Sequence, residues 1–168
     1  PQGNSCSGLG VDIRSRAGKG IYEVLIGEKR ISEVIVDTEN ENLKIVPVSL
    51  DLTGAQIELM NKPRKEYILK DALVPVREQY DFILIDTPPS LGLFTLNGLV
   101  ASDSVLIPLQ SEFYAMEGVA QLLKAIKLVK SKPNKNLAIE GVLITMYDSR
   151  TNLSQEVVEN VRDYFKDK

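Results

Sequence analysis

The sequence contains no histidine and no tryptophan, and it has a single cysteine, Cys6, in 168 residues. Without histidine the usual general base and the commonest metal ligand are missing, which excludes Ser-His-Asp, Cys-His and zinc-hydrolase chemistry. One cysteine cannot form an intrachain disulfide and fits a reducing compartment. No apolar run approaches the roughly 20 residues that a membrane-spanning helix requires. The chain opens on Pro1-Gln2-Gly3-Asn4, with no initiator methionine, charged n-region or apolar signal segment, as expected of a piece cut from something longer. What is present is ordinary for a folded domain: 43% apolar and 26% charged residues. A chain of this length buries roughly 70% of its unfolded surface without a metal or disulfide staple, and it fits one domain over 1–168. With 20 basic and 23 acidic residues the net charge is −3, so any nucleic-acid contact must come from a local patch.

Strand-like and helix-like segments alternate along the chain. Leu43–Val48, Asp81–Asp86, Ser104–Leu109 and Gly141–Thr145 are apolar runs without polar alternation, as expected of parallel strands covered on both faces. Helical segments are expected at Ile57–Met60 and Tyr67–Tyr80, the second kinked or restarted at Pro75. Val119, Leu122, Leu123, Ile126 and Val129 follow the spacing of a buried helical stripe that Pro133 ends. A last amphipathic helix carries Val157, Val158, Val161, Tyr164 and Phe165. This alternation implies a three-layer α/β fold with a doubly wound, mostly parallel sheet, incomplete at both ends. In such sheets ligands bind beyond the carboxyl ends of the strands.

The second run ends in Asp86-Thr87-Pro88-Pro89-Ser90. Four apolar residues carry a carboxylate to the ligand edge, where the Pro-Pro pair stiffens the exit. There it can hold Mg²⁺, directly or through water. A strand-ending Asp that caps the next turn is the plain alternative, and the added Thr-Pro-Pro-Ser favours the functional reading.

Tyr80-Asp-Phe-Ile-Leu-Ile-Asp-Thr-Pro-Pro-Ser-Leu-Gly-Leu-Phe-Thr-Leu-Asn97 resembles the Walker B and switch region of ParA/Soj-type partition ATPases, members of the deviant-Walker P-loop NTPases. The resemblance extends to Ala101–Gln110, Glu112–Gly118 and Gly141–Leu153, and Pro1–Gly10 matches the tail of the family's D-x-D-P-Q-G-N segment. No G-x-x-x-x-G-K-[ST] or K-G-G-x-G-K-T occurs, so the phosphate cradle is absent from these residues. The I-P-R-N-V-R segment that normally follows is also missing. These 168 residues alone are therefore expected to have little or no ATPase activity.

The resemblance implies an ATP- and Mg²⁺-dependent dimer, cytoplasmic and nucleoid-associated, that binds DNA nonspecifically and moves chromosome or plasmid DNA with a ParB-type partner and no membrane. On that basis Asp86 would hold Mg²⁺ through water, and Thr87 and Pro88 would shape the loop that senses the γ-phosphate. Gln2, Gly3 and Asn4 would run past the nucleotide; Met146 and Asp148 would border the adenine; Arg150 would contact DNA. Glu112, Phe113, Tyr114 and Glu117 would lie near the dimer face. Lys62, Arg64 and Lys65, like Lys124, Lys127, Lys130, Lys132 and Lys135, read as solvated faces before DNA sites. A P-loop-less binding or regulatory module of the same fold, or a MinD-like division-site ATPase, is the alternative.

Overall fold

The computed structural model of the protein describes residues 3–12, 18–48, 52–88, 90–111 and 115–165. The chain forms two compact units, Pro1–Ala101 and Ser102–Lys168, each described by itself.

The first unit begins with α1 (Asn4–Gly8), a single turn that follows Gly3 in the left-handed region (φ 73°). Buried Cys6 anchors it, and its carbonyl accepts from the Val11 N–H at 2.9 Å. Next comes α2 (Ile21–Ile26), whose first turn is closed by buried Glu23: its carboxylate accepts the Gly20 N–H at 2.7 Å. Gly27, at φ 88°, ends the helix in the left-handed cap that glycine tolerates best. A small antiparallel pair, β1 (Val36–Asp37) and β2 (Lys44–Ile45), follows. Of the expected strand at Leu43–Val48, only Lys44–Ile45 is laddered, and its pairing is antiparallel.

Three helices complete this unit: α3 (Leu52–Met60), α4 (Ile68–Leu73) and α5 (Leu93–Ala101). The segment expected as Tyr67–Tyr80 breaks at Pro75, giving α4, a turn and one 3-10 turn over Arg77–Gln79. Leu25, Ala55, Leu59 and Leu69 make one buried cluster, against which Ile85, Leu93 and Phe94 pack. Val24, Ile31, Val34 and Val76 make a second. Lys62 and Lys65 donate to the terminal carbonyls of Ile26 and Met60, and Arg64 pairs with Asp71 and lies over the Tyr67 ring. These three cations serve helix ends and a turn.

One expected strand does not form a ladder. Phe82–Ile85 pairs with no described residue, and Phe82 and Leu84 are 87% and 92% exposed. The unbroken apolar run reports an environment the sequence is suited to, burial on both faces. A strand, however, is defined by a hydrogen-bonded neighbour that its own residues cannot supply.

The second unit carries the α/β signature. Strands β3 (Ser104–Gln110) and β4 (Ala138–Thr145) pair in parallel, joined through α6 (Ala115–Ser131), and α7 (Asn152–Phe165) closes the chain. Parallel pairing requires such a crossover. Helix α6 packs on β3 and on α7. Val119, Ile126 and Val129 of the expected stripe are buried, as are Ile107 and Leu109 of β3 and Val157 and Val161 of α7. Asn134 ties the crossover down by donating to the Ser102 carbonyl at 2.7 Å. Among the described residues, no helix is long and apolar enough to cross a membrane.

Candidate nucleotide site

Asp86 leaves the apolar run as an exposed carboxylate, and two elements of the first unit hold the backbone around it. From α1, the Ser5 hydroxyl donates to Asp86 Oδ2 at 2.6 Å. From α5, buried Thr95 presents its hydroxyl to two carbonyls of the loop, Pro88 at 3.2 Å and Ser90 at 2.6 Å. One proton is shared between two acceptors, which ties Pro88 and Ser90 to α5. A glycine lets α5 come this close: a Cβ on Gly98 would lie 2.6 Å from Thr87 Cγ2 and 3.4 Å from Ile85 Cγ2.

The contact at Gly98 yields a testable sign. Alanine in mid-helix gains about 1 kcal/mol over glycine, but overpacking against a stiff β-branched side chain costs about 1–3 kcal/mol. Gly98→Ala is therefore expected to lower stability by about 1 kcal/mol net. Combined with Thr87→Ser, which removes the offending methyl, it should become neutral or stabilising. Urea midpoints of the two single variants and the double variant measure this, and simple additivity would refute the contact.

Helix α5 is itself fixed by Asn97, 2% exposed. Its Oδ1 accepts the Leu69 N–H at 3.0 Å, and its Nδ2 donates to the Lys65 and Leu93 carbonyls at 2.9 and 3.0 Å. One amide thus satisfies an orphan N–H in the first turn of α4 and locks α4 to α5.

In the second unit the exit of β4 is organised by hydroxyls. Met146 adopts a left-handed backbone (φ 54°) and is 79% exposed. Its carbonyl accepts from Ser111 Oγ at 3.2 Å, Ser111 accepts from Ser154 Oγ at 3.0 Å, and Ser154 lies 2.9 Å from Thr151 Oγ1. Ser111 and Ser154 are both buried, so this chain keeps polar atoms satisfied while joining the ends of β3 and β4 to the start of α7. Beyond it, Asp148 and Arg150 form a bidentate pair with contacts of 2.9 and 2.8 Å. The Arg150 guanidinium holds the Asp148 carboxyl below the usual aspartate range, and the carboxylate in turn raises Arg150.

The residues singled out from sequence thus fall in both units. Gly3, Asn4, Asp86, Thr87 and Pro88 belong to the first, and Met146, Asp148 and Arg150 to the second. Gln2, Pro89 and Glu112–Tyr114 lie outside the described residues. Ser5, Thr95, Asn97, Ser111 and Ser154 were not singled out. Asn97 carried a signal: an amide between Leu96 and the Gly98–Ala101 end of α5, a mostly apolar helix, has to find partners.

Among the described residues no three His, Cys, Asp or Glu side chains converge into a metal cage. The donor set at Asp86 instead suits Mg²⁺, which is commonly held by one or two carboxylates together with waters and nucleotide phosphates.

The model of a family described as AAA domain matches residues 1–139. The chain is 53% identical over 166 residues to the chromosome partitioning protein ParA of Myxococcus xanthus, covering 99% of this chain and 58% of that protein. It is 48% identical over 168 residues to the sporulation initiation inhibitor protein Soj of Bacillus subtilis, covering 100% of this chain and 66% of that protein. The chain thus spans less than two thirds of the length of these relatives. A crystal structure of cobyrinic acid a,c-diamide synthase from Mycobacterium smegmatis, with bound ATP analogue and magnesium, matches at TM-score 0.91 and 40% identity, over 99% of this chain and 67% of that one. By family model and relatives together, the chain belongs to the AAA domain family and, within it, to the ParA/Soj type.

Proposed function

We propose that this chain is the central part of an ATP-driven partition protein, with Asp86 as the carboxylate that orders Mg²⁺ through water. The observation that carries the reading is the anchoring of Asp86, Thr87, Pro88 and Ser90 by Ser5 of α1 and by Thr95 and Gly98 of α5. A carboxylate fixed in this way meets the positional demand of phosphoryl transfer, where catalysis is mainly placement and charge neutralisation. Bound Mg²⁺ would supply neutralisation of phosphate charge. Asp86 would orient it, Thr87 and Pro88 would shape the loop facing the γ-phosphate, and Gln2, Gly3 and Asn4 would line the passage beside the nucleotide. Met146 and Asp148 would border the adenine, for which the exposed Met146 side chain offers an apolar face.

The family match runs across the boundary between the two units, from residue 1 to 139, which supports both as parts of one domain. In the whole protein the domain would dimerise on ATP, bind DNA nonspecifically through Arg150 and release it when a ParB-type partner stimulates hydrolysis. It would act in the cytoplasm on the nucleoid.

The test is phosphate release and sedimentation of the chain at its natural length. ATP with Mg²⁺ is expected to give a dimer and slow hydrolysis that duplex DNA and the partner accelerate, and the 168 residues alone are expected to release no phosphate above background. No ATP binding by the longer chain would overturn the proposal and leave the non-catalytic module.

A further inference from the structure

We propose that Asp148 is a latch that withholds Arg150 from nucleic-acid phosphates, an inference that rests on the reading of Arg150 as the phosphate-contacting residue. Asp148 Oδ1 accepts the Arg150 backbone N–H and Nε, each at 2.9 Å, while Oδ2 accepts Nη2 at 2.8 Å. The guanidinium edge spent here is a flat fork of donors that matches a carboxylate or a phosphate equally well. A phosphodiester that takes this edge must displace Asp148, and one that approaches the remaining Nη1 side meets a negative charge already in place.

The carboxylate does not depend on Arg150's side chain for its position. The Arg150 backbone N–H fixes Asp148 Oδ1, the Thr151 N–H donates to the Asp148 carbonyl at 3.2 Å, and Gln155 Nε2 reaches back to the Ser149 carbonyl at 2.8 Å. When the guanidinium swings away, the acceptor that recaptures it stays where it was. The side chains of Arg150 and Asp148 are 87% and 38% exposed, so water screens the pair and opening is easy. The latch accordingly sets a threshold for DNA binding and does not forbid it. Its opening exposes a cation two residues after the carboxylate proposed to border the base, which puts both readings of this loop on one side chain.

The experiment is a double-variant cycle on the chain at its natural length, with ATP and Mg²⁺ present. Anisotropy of a fluorescent duplex of mixed sequence reads the dissociation constant for wild type, Asp148→Asn, Arg150→Ala and the double variant. Asp148→Asn is expected to tighten binding about two- to five-fold when Arg150 is present, the range released by opening one exposed pair, and to have no effect in the Arg150→Ala background. Equal tightening in both backgrounds would make Asp148 a repelling charge only and overturn the latch. Weaker or unchanged binding by Asp148→Asn would also overturn it, the first because the pair would then pre-organise Arg150 for phosphate. Failure of the underlying reading appears separately, as unchanged binding by Arg150→Ala alone.

Discussion

Replacing Asp86 by Asn in the chain at its natural length is expected to lower the rate of ATP hydrolysis by about two to three orders of magnitude, the usual loss when one preorganised electrostatic contact to the reacting centre is removed. The substitution keeps the side chain's shape and an oxygen that can still accept from the Ser5 hydroxyl. It removes the negative charge and turns one acceptor oxygen into an amide donor. Because Asp86 is exposed, the fold should tolerate this within about 0.5 kcal/mol, as surface substitutions generally do. The loss should therefore appear in kcat, with the thermal midpoint unchanged and nucleotide affinity altered much less than the rate. Ser5→Ala isolates the second contact: it leaves the charge and removes the group that orients it, so a smaller loss is expected. Full hydrolysis by Asp86→Asn would remove Asp86 from the mechanism.

The parts of this molecule that were legible in the sequence are those written in local pattern. The stripe from Val119 to Val129 became a helix with its apolar residues inward, Pro75 broke the segment where its missing N–H demanded, and the runs at Ser104 and Gly141 paired in parallel. Asp86 could be picked out because four apolar residues and two prolines frame it. The rest depends on contacts between residues far apart in the chain. Ser5 reaches Asp86 across 81 positions, Ser154 reaches Ser111 across 43, and Leu69 reaches Asn97 across 28. No periodicity encodes such pairs. Phe82–Ile85 shows the reverse case: its composition reads as a buried strand, yet pairing is a property of two segments, and no described residue ladders with it. The Asp148–Arg150 pair was near enough to have been read, since a single residue separates the charges. Each had instead been given its own external ligand, and the structure gives them to one another.

Asn97→Leu is expected to destabilise the protein by about 2–4 kcal/mol, a large share of the about 5–15 kcal/mol that holds a domain together. Leucine has the branching of asparagine, but its methyls are bulkier than the amide atoms and would crowd partners now at 2.9–3.0 Å, so overpacking adds to the loss. The larger part comes from the two groups left behind, the Leu69 N–H and the Lys65 carbonyl, each costing about 1–3 kcal/mol when stripped of its partner, with the half-buried carbonyl at the low end. Because α5 also carries Thr95 and Gly98 against the Asp86 loop, hydrolysis should fall with stability. Asn97→Asp separates donor from acceptor. One oxygen of the introduced carboxyl can still accept the Leu69 N–H, but the other would face the Lys65 and Leu93 carbonyls at 2.9 and 3.0 Å, where only a proton makes contact favourable. Burial and those carbonyls must raise the carboxyl's folded pKa above its unfolded value of about 3.9. The stabilisation this adds is fully present below the unfolded value and is lost as pH rises through the folded one. Urea midpoints for Asn97→Asp, taken relative to Asn97→Leu, should therefore fall as pH rises from about 4 toward 7. A difference that stays flat across that range would mean that the amide does not donate to the two carbonyls, and that α4 and α5 are joined by packing alone.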